Sequence, residues 1–150
     1  MARKRKELNI SGSNLWYLVG LITSDGNLSK DGRHIDITAK EKNFLQRIKE
    51  SLILVNKVCK KNKGTPKQAY RIQIANKEFY EFLLSIGLTQ NKSLTIGELK
   101  VPKEYFIDFL RGVIDGDGCI RKWRHPSNQG EQWSLRIYSG SERFIRWLKD

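Results

Sequence analysis

Cysteine is nearly absent. Cys59 and Cys119 are the only two in 150 residues, and neither belongs to a CxxC pair or a Cys/His cluster. That argues against a disulfide framework and a zinc site, and fits a reducing cytoplasm, or an organelle in a eukaryote. No run of about 18 apolar residues occurs, so no membrane span is expected. Ala2 to Glu7 is basic, but no apolar signal-peptide core follows. Residues 1–12 read as a solvated basic arm. Histidine is scarce too, and His34 and His125 stand without partners, so neither is assigned to metal or acid–base work. Acidic charge is also short. Sixteen Asp and Glu stand against 28 Lys and Arg, a formal charge of +12. Such an imbalance is a footprint for a polyanion, most often nucleic acid, rather than a small-molecule substrate. The length suits one domain of ordinary size, and 39% hydrophobic residues suffice for a core.

What the chain does have is a duplicated segment. Leu18-Val-Gly-Leu-Ile-Thr-Ser-Asp-Gly26 and Leu110-Arg-Gly-Val-Ile-Asp-Gly-Asp-Gly118 each run apolar residues past a glycine and end in Asp-Gly. Each reads as a helix with a carboxylate at its end. The first is expected from about Asn14 to Ser24, with Ser13 as N-cap. The second is opened by Pro102, whose missing N–H suits a first helical turn, and runs to about Gly116. Gly20 and Gly112 fall inside these helices, where glycine costs about 1 kcal/mol relative to alanine. Their matched positions predict close backbone approach between the two helices. That packing would bring together Asp25 and Asp117, 92 positions apart.

Alternating segments follow each copy. Ile35 and Ile37 share one face of His34–Thr38, and Tyr70, Ile72 and Ile74 share one face of a later strand. In Gln132–Tyr138, Trp133, Leu135 and Ile137 are expected to face the core and Ser134, Arg136 and Tyr138 to face out. Trp123 to Gly130 reads as a hairpin tip, longer than its counterpart. Helical spacing places helices at about Lys42–Leu54 and Lys77–Ser85. The organisation is thus a basic arm at 1–12, a first repeat at 13–88, a connector at 89–101 and a second repeat at 102–150. The expected fold is α+β, with two pseudo-twofold αββαββ-type halves. The second half is incomplete, because no partner of Tyr70–Ile74 follows. A complete two-copy chain is expected to be monomeric, and a truncated one to dimerise.

The two nine-residue segments resemble the signature of the LAGLIDADG homing endonucleases. Arg111, Val113 and Gly116 depart from the family name in the second copy; Val19, Thr23 and Ser24 occupy variable places in the first. Gly87-Leu-Thr-Gln-Asn-Lys-Ser93 and Val101-Pro-Lys-Glu-Tyr105 also look like the single-chain, two-motif members. The resemblance implies that the motif helices form the pseudo-twofold interface and that antiparallel saddle sheets sit over a DNA major groove. It implies that Asp25 and Asp117 bind a divalent cation, Mg2+ or another, with the backbone carbonyls of Ser24 and Gly116 as further ligands. Magnesium prefers oxygen ligands and retains waters, so two carboxylates plus phosphate oxygens make a plausible shell. A lysine following the strand, here Lys40, is implied near the scissile phosphate, to orient water or offset developing charge. Its counterpart falls near Gly140, where no lysine stands; Arg143 is a loose substitute.

Double-stranded DNA is the implied partner, reached from outward strand positions. These are Asn27, Ser29, Arg33, His34, Asp36 and Thr38 in the first hairpin, Arg71 and Gln73 on the later strand, and Arg121, Arg124, Gln132, Ser134, Arg136 and Tyr138 in the second copy. Arg and Gln suit bidentate contacts to base edges. Lys57, Lys60, Lys61, Lys63 and Lys67 suit phosphates. The implied activity is metal-dependent, site-specific hydrolysis of both DNA strands in intron or intein homing. The alternative is a non-cleaving nucleic-acid binder, such as an intron-splicing maturase.

Overall fold

A computed structural model describes residues 8–61, 68–90, 92 and 95–150. The N-terminal arm up to residue 7, Lys63 and Lys67 lie outside the described residues. Helix α1 spans Gly12–Asp25 and is followed by β1 (Gly26–Leu28), β2 (His34–Ala39), α2 (Lys42–Ser51), β3 (Val58–Lys61), β4 (Ala69–Ala75) and α3 (Lys77–Ile86). A 3-10 turn at Lys103–Tyr105 leads into α4 (Phe106–Asp117). The series then restarts with β5 (Gly118–Arg124), β6 (Glu131–Ile137) and α5 (Glu142–Lys149). The mixed α+β architecture and its internal repeat are as expected. All strand pairs are antiparallel. One sheet has the order β1-β2-β4-β3, and β5-β6 forms a second.

Apolar periodicity accounts for the first half. Leu18, Val19, Leu21 and Ile22 of α1 are fully buried with Ile35 and Ile37 of β2, Leu45 of α2, Ile72 of β4 and Leu83 of α3. The amphipathic helices α2 and α3 thereby cover one face of the four-stranded sheet. Asn76 caps α3 by accepting from the Phe79 amide at 2.9 Å, and Gly87 ends it in the left-handed conformation at φ 114°. In the second half, Ser141 caps α5 and donates to the carbonyl of Ile96. Trp147 packs edge-on to Phe106 and Phe109 and beside Phe144, at 5.7–5.9 Å between rings, which fixes α5 against α4.

Several expectations need correction. Ser13 is not the cap of α1: the helix starts at Gly12, with Ser11 in the cap position and no side-chain hydrogen bond there. Pro102 precedes the 3-10 turn, so α4 begins only at Phe106. Trp123 and Arg124 belong to β5, and the tip proper is shorter. Strand β3 carries no apolar alternation and was not legible; it pairs at the sheet edge with β4. Trp133 and Leu135 do not face a core, being 62% and 48% exposed. Ile35, the first-half equivalent of Leu135, is buried under α2 and α3, and among the described residues no such layer packs on β5 and β6. Ile137, nearest the helices, is partly buried.

Candidate active site

The site begins at the crossing of α1 and α4. A Cβ on Gly20 would stand 2.1 Å from the Phe109 carbonyl oxygen, and one on Gly112 would stand 2.2 Å from that of Tyr17 and 2.7 Å from the Leu21 nitrogen. Only glycine permits this contact, so the two helix backbones touch, as their matched positions predicted. One turn further on, a Cβ on Gly116 would fall 1.9 Å from the Ser24 hydroxyl. That hydroxyl donates back to the carbonyls of Gly20 and Leu21, both at 3.2 Å. Ser24 and Gly116 therefore face each other immediately before the two aspartates. The Tyr17 hydroxyl donates to Asp115 and adds a polar tie across the helix pair.

Each helix ends on its aspartate and passes directly into a strand, β1 or β5. Asp25 and Asp117 are close enough that each carboxyl perturbs the other. Burial, with the Asp117 charge and hydrogen bond added, pushes the Asp25 carboxyl up to about 6. Asp117, although it reaches solvent, is also raised by partial burial, against the pull of Lys92 and of the Asp25 hydrogen bond. Two carboxyls this close hold a proton as a pair rather than one by one.

The cation acting on both is Lys92, a residue that sequence reasoning missed. It is 8% exposed, and its Nζ donates to the carbonyl of Gly26 at 2.5 Å. Burial lowers its proton affinity while both aspartates raise it. The connector delivers it: Gln90 donates to the Tyr80 hydroxyl at 3.0 Å, and that hydroxyl donates to the Ser29 carbonyl at 2.5 Å. Its one sequence signal is its place in Gly87–Ser93, a segment that resembles the two-motif members of the family. Lys40 is exposed one residue beyond β2, at the end of the sheet where Gly26 pairs with Ile37. Arg143 lies over Gly97 in the connector.

The donor set consists of hard oxygen atoms. Among the described residues no cluster of three or more His, Cys, Asp and Glu exists. Two crowded carboxylates with flanking carbonyls fit a hard divalent cation that completes its shell with water or phosphate. Such a cation would also relieve the carboxylate repulsion that helps raise the Asp25 carboxyl.

The sheet faces extend from this centre. Strand register places Ser29 and His34 in one cross-strand row, Asn27, Asp36 and Gln73 in the next, and Thr38, Arg71 and Cys59 in a third. Lys61 reaches Thr38 at 3.5 Å on the same face. One Asp36 oxygen lies 3.8 Å from Arg71, and its other is buried with no hydrogen-bond partner among the described residues. Asp31 accepts from the amides of Arg33 and His34, both at 3.0 Å, which shapes the turn and holds the Asp31 carboxyl down at about 2. In the second sheet Arg121, Gln132, Ser134 and Arg136 share a face with Cys119 and Trp123. Tyr138 lies exposed just past β6. Two of the expected contacts separate from the rest. Lys60 and Arg124 alternate onto the opposite faces of their sheets, opposite Tyr70 and Glu131.

The LAGLIDADG-like domain family model matches residues 13–87. An uncharacterized protein of Methanocaldococcus jannaschii is 29% identical over 153 residues, covering 97% of this chain and 52% of that protein. A DNA polymerase of Thermococcus sp. strain GE8 is 29% identical over 146 residues, covering 89% of this chain and 8% of the polymerase. The chain therefore spans about half the length of the first relative and a small part of the second. The structure of I-DmoI in complex with DNA and Ca aligns at a TM-score of 0.42 with 16% identity, over 84% of this chain and 83% of that one. The family match takes in half the sequence, including most of α1 with Asp25 and the whole four-stranded sheet, and the chain belongs to the LAGLIDADG-like domain family.

Proposed function

We propose that this chain recognises and cleaves double-stranded DNA at a specific site, as a metal-dependent phosphodiesterase of the homing-endonuclease kind. The observation that carries the reading is the pair Asp25 and Asp117, held together at the ends of two touching helices with Lys92 beside them. The genetic setting implied by the family resemblance is a mobile intron or intein.

The geometry supports the following division of labour. Asp25 and Asp117 would hold a divalent cation, Mg2+ or a similar ion, with the carbonyls of Ser24 and Gly116 as further ligands. When bound, such an ion activates water and neutralises charge at the scissile phosphate. Lys92 offsets the carboxylates and, by holding the Gly26 carbonyl, fixes the junction of helix and strand. A buried ammonium placed there also favours charge developing on a phosphate oxygen. Lys40 offers a second, solvent-side cation. The strand faces bear Asn27, Gln73, Arg71, Gln132 and Arg136 toward base edges. Lys57 and Lys61 suit phosphates.

The test is selection and cleavage of a randomised duplex library with and without Mg2+. The protein should cut a selected duplex only with the metal. Asp25→Asn and Asp117→Asn should each abolish cutting while affinity for the duplex survives, because binding resides on the sheets. Full cleavage by the double Asn variant would sink the assignment. Duplex capture without cutting under any divalent cation would favour the non-cleaving binder.

A further inference from the structure

The hairpins that follow α1 and α4 start alike and end differently. Gly26 pairs with Ile37 and Gly118 with Ile137, each immediately after a motif aspartate. The first hairpin then closes at Ser29–His34, the fourth cross-strand pair. The second closes at His125–Gly130, the eighth. Both turn over a loop of four residues, 30–33 and 126–129. The additional sequence in the second copy is therefore not a longer loop. It is four more rungs of ladder: Lys122–Trp133, Trp123–Gln132, Arg124–Glu131 and His125–Gly130.

The added rungs are braced. On one face Lys122 binds Glu131 at 2.5 Å and lies 5.1 Å from the centre of the Trp133 ring. A cation held between a carboxylate and an indole ties the two strands together where the hairpin projects from the body. The other face carries Trp123 and Gln132, continuous with Arg121, Ser134 and Arg136. Trp123 is 42% exposed. This face thus offers an amide able to make bidentate contact with adenine and an apolar ring able to meet a thymine methyl. At about 3.4 Å per residue, four rungs add roughly 13 Å of reach. That equals the rise of about four base pairs.

We propose that the DNA site is asymmetric, and that the second hairpin extends it by about four base pairs at its outer end, where Trp123 and Gln132 read bases within that extension. The proposal rests on the DNA-reading function and specifies the ligand of that surface. It predicts which half of the site is longer.

The experiment is binding-site selection from randomised duplexes, read by sequencing, in Ca2+ so that cleavage is not required. The native chain is compared with a variant lacking residues 122–125 and 130–133, which restores the first hairpin's length and retains its four-residue loop. The native chain should show base preference extending about four positions further on one side. The shortened variant should select the same inner sequence and lose preference at those outer positions. Gln132→Ala and Trp123→Ala, which leave the ladder intact, should each lower discrimination there by about tenfold, the scale of one lost base contact. Equal-length half-sites for the native chain, or unchanged outer preference in both point variants, would overturn the proposal while leaving DNA recognition standing. Failure of the native chain to enrich any duplex would overturn the DNA-reading function itself, and this inference with it.

Discussion

Asp25 retains its proton to a higher pH than a free aspartate, and the consequence for stability has a definite sign. Its folded value is about 6 against an ordinary 3.8, because burial and Asp117 disfavour the anion. A raised carboxyl contributes stability below its unfolded value, and that contribution is lost as pH rises toward the folded one. The metal-free protein should therefore lose stability between about pH 4 and 6. Asp25→Asn should melt higher than the native chain at pH 7.5, and the two should converge near pH 3.5. Saturating Mg2+ should raise the native melting temperature and leave the Asn variant nearly unmoved. Calorimetry across pH checks all three. The two lysines should separate in the same way. Lys92→Met removes a buried cation beside both aspartates, so it should slow cleavage at saturating DNA with little change in affinity. Lys40→Ala, at an exposed position, should have the weaker effect on cleavage, and unequal rates for the two strands would place it at one scissile phosphate. Single-turnover rates on strand-labelled duplexes decide this, and a larger loss for Lys40→Ala would reverse the assignment. That Asp25 and Asp117 come together was legible in the sequence. The identity of the buried lysine was not, because burial of residue 92 depends on how the connector folds back onto Gly26.

At the scale of elements, the helix crossing is the least tolerant feature. Gly112→Ala would place a Cβ 2.2 Å from one backbone atom and 2.7 Å from another, and neither belongs to a side chain that can turn away. The helices must separate, at a cost of at least about 3 kcal/mol, the upper end of ordinary overpacking. Urea denaturation measures it, and Gly20→Ala should behave alike. A loss below about 1 kcal/mol at both sites would mean that the helices do not touch. This contact was legible because two glycines recur at one place in two copies of a motif, where intrinsic propensity disfavours them. Strand alternation was equally legible in β2, β4 and β6. What alternation could not say is whether the apolar face is covered. Ile35 and Leu28 are 0% and 2% exposed, whereas their repeat equivalents Leu135 and Ile120 are 48% and 62% exposed. The pattern is the same in both; the layer packed upon it differs.

For the whole molecule, the charge of +12 predicts a steep salt dependence. With roughly six phosphate contacts, affinity should fall by about three orders of magnitude between about 50 and 200 mM salt. Lys61→Ala, on the Thr38 face, should reduce the log–log slope by about one contact, while Lys60→Ala, on the opposite face, should leave it unchanged. Fluorescence anisotropy titrations on specific and scrambled duplexes test this, and salt-independent affinity would defeat the nucleic-acid reading. The amino-acid sequence by itself determined the repeat, the paired helix-end carboxylates, the α+β class and the basic character, since each is a matter of local spacing or composition. Only the tertiary structure decided that Lys92 is the buried cation acting on both aspartates and that Lys60 and Arg124 turn away from their neighbours. It also decided that eight residues lengthen a ladder rather than a loop. Those outcomes depend on register and on long-range packing, where a shift of one residue sends a side chain to the other face.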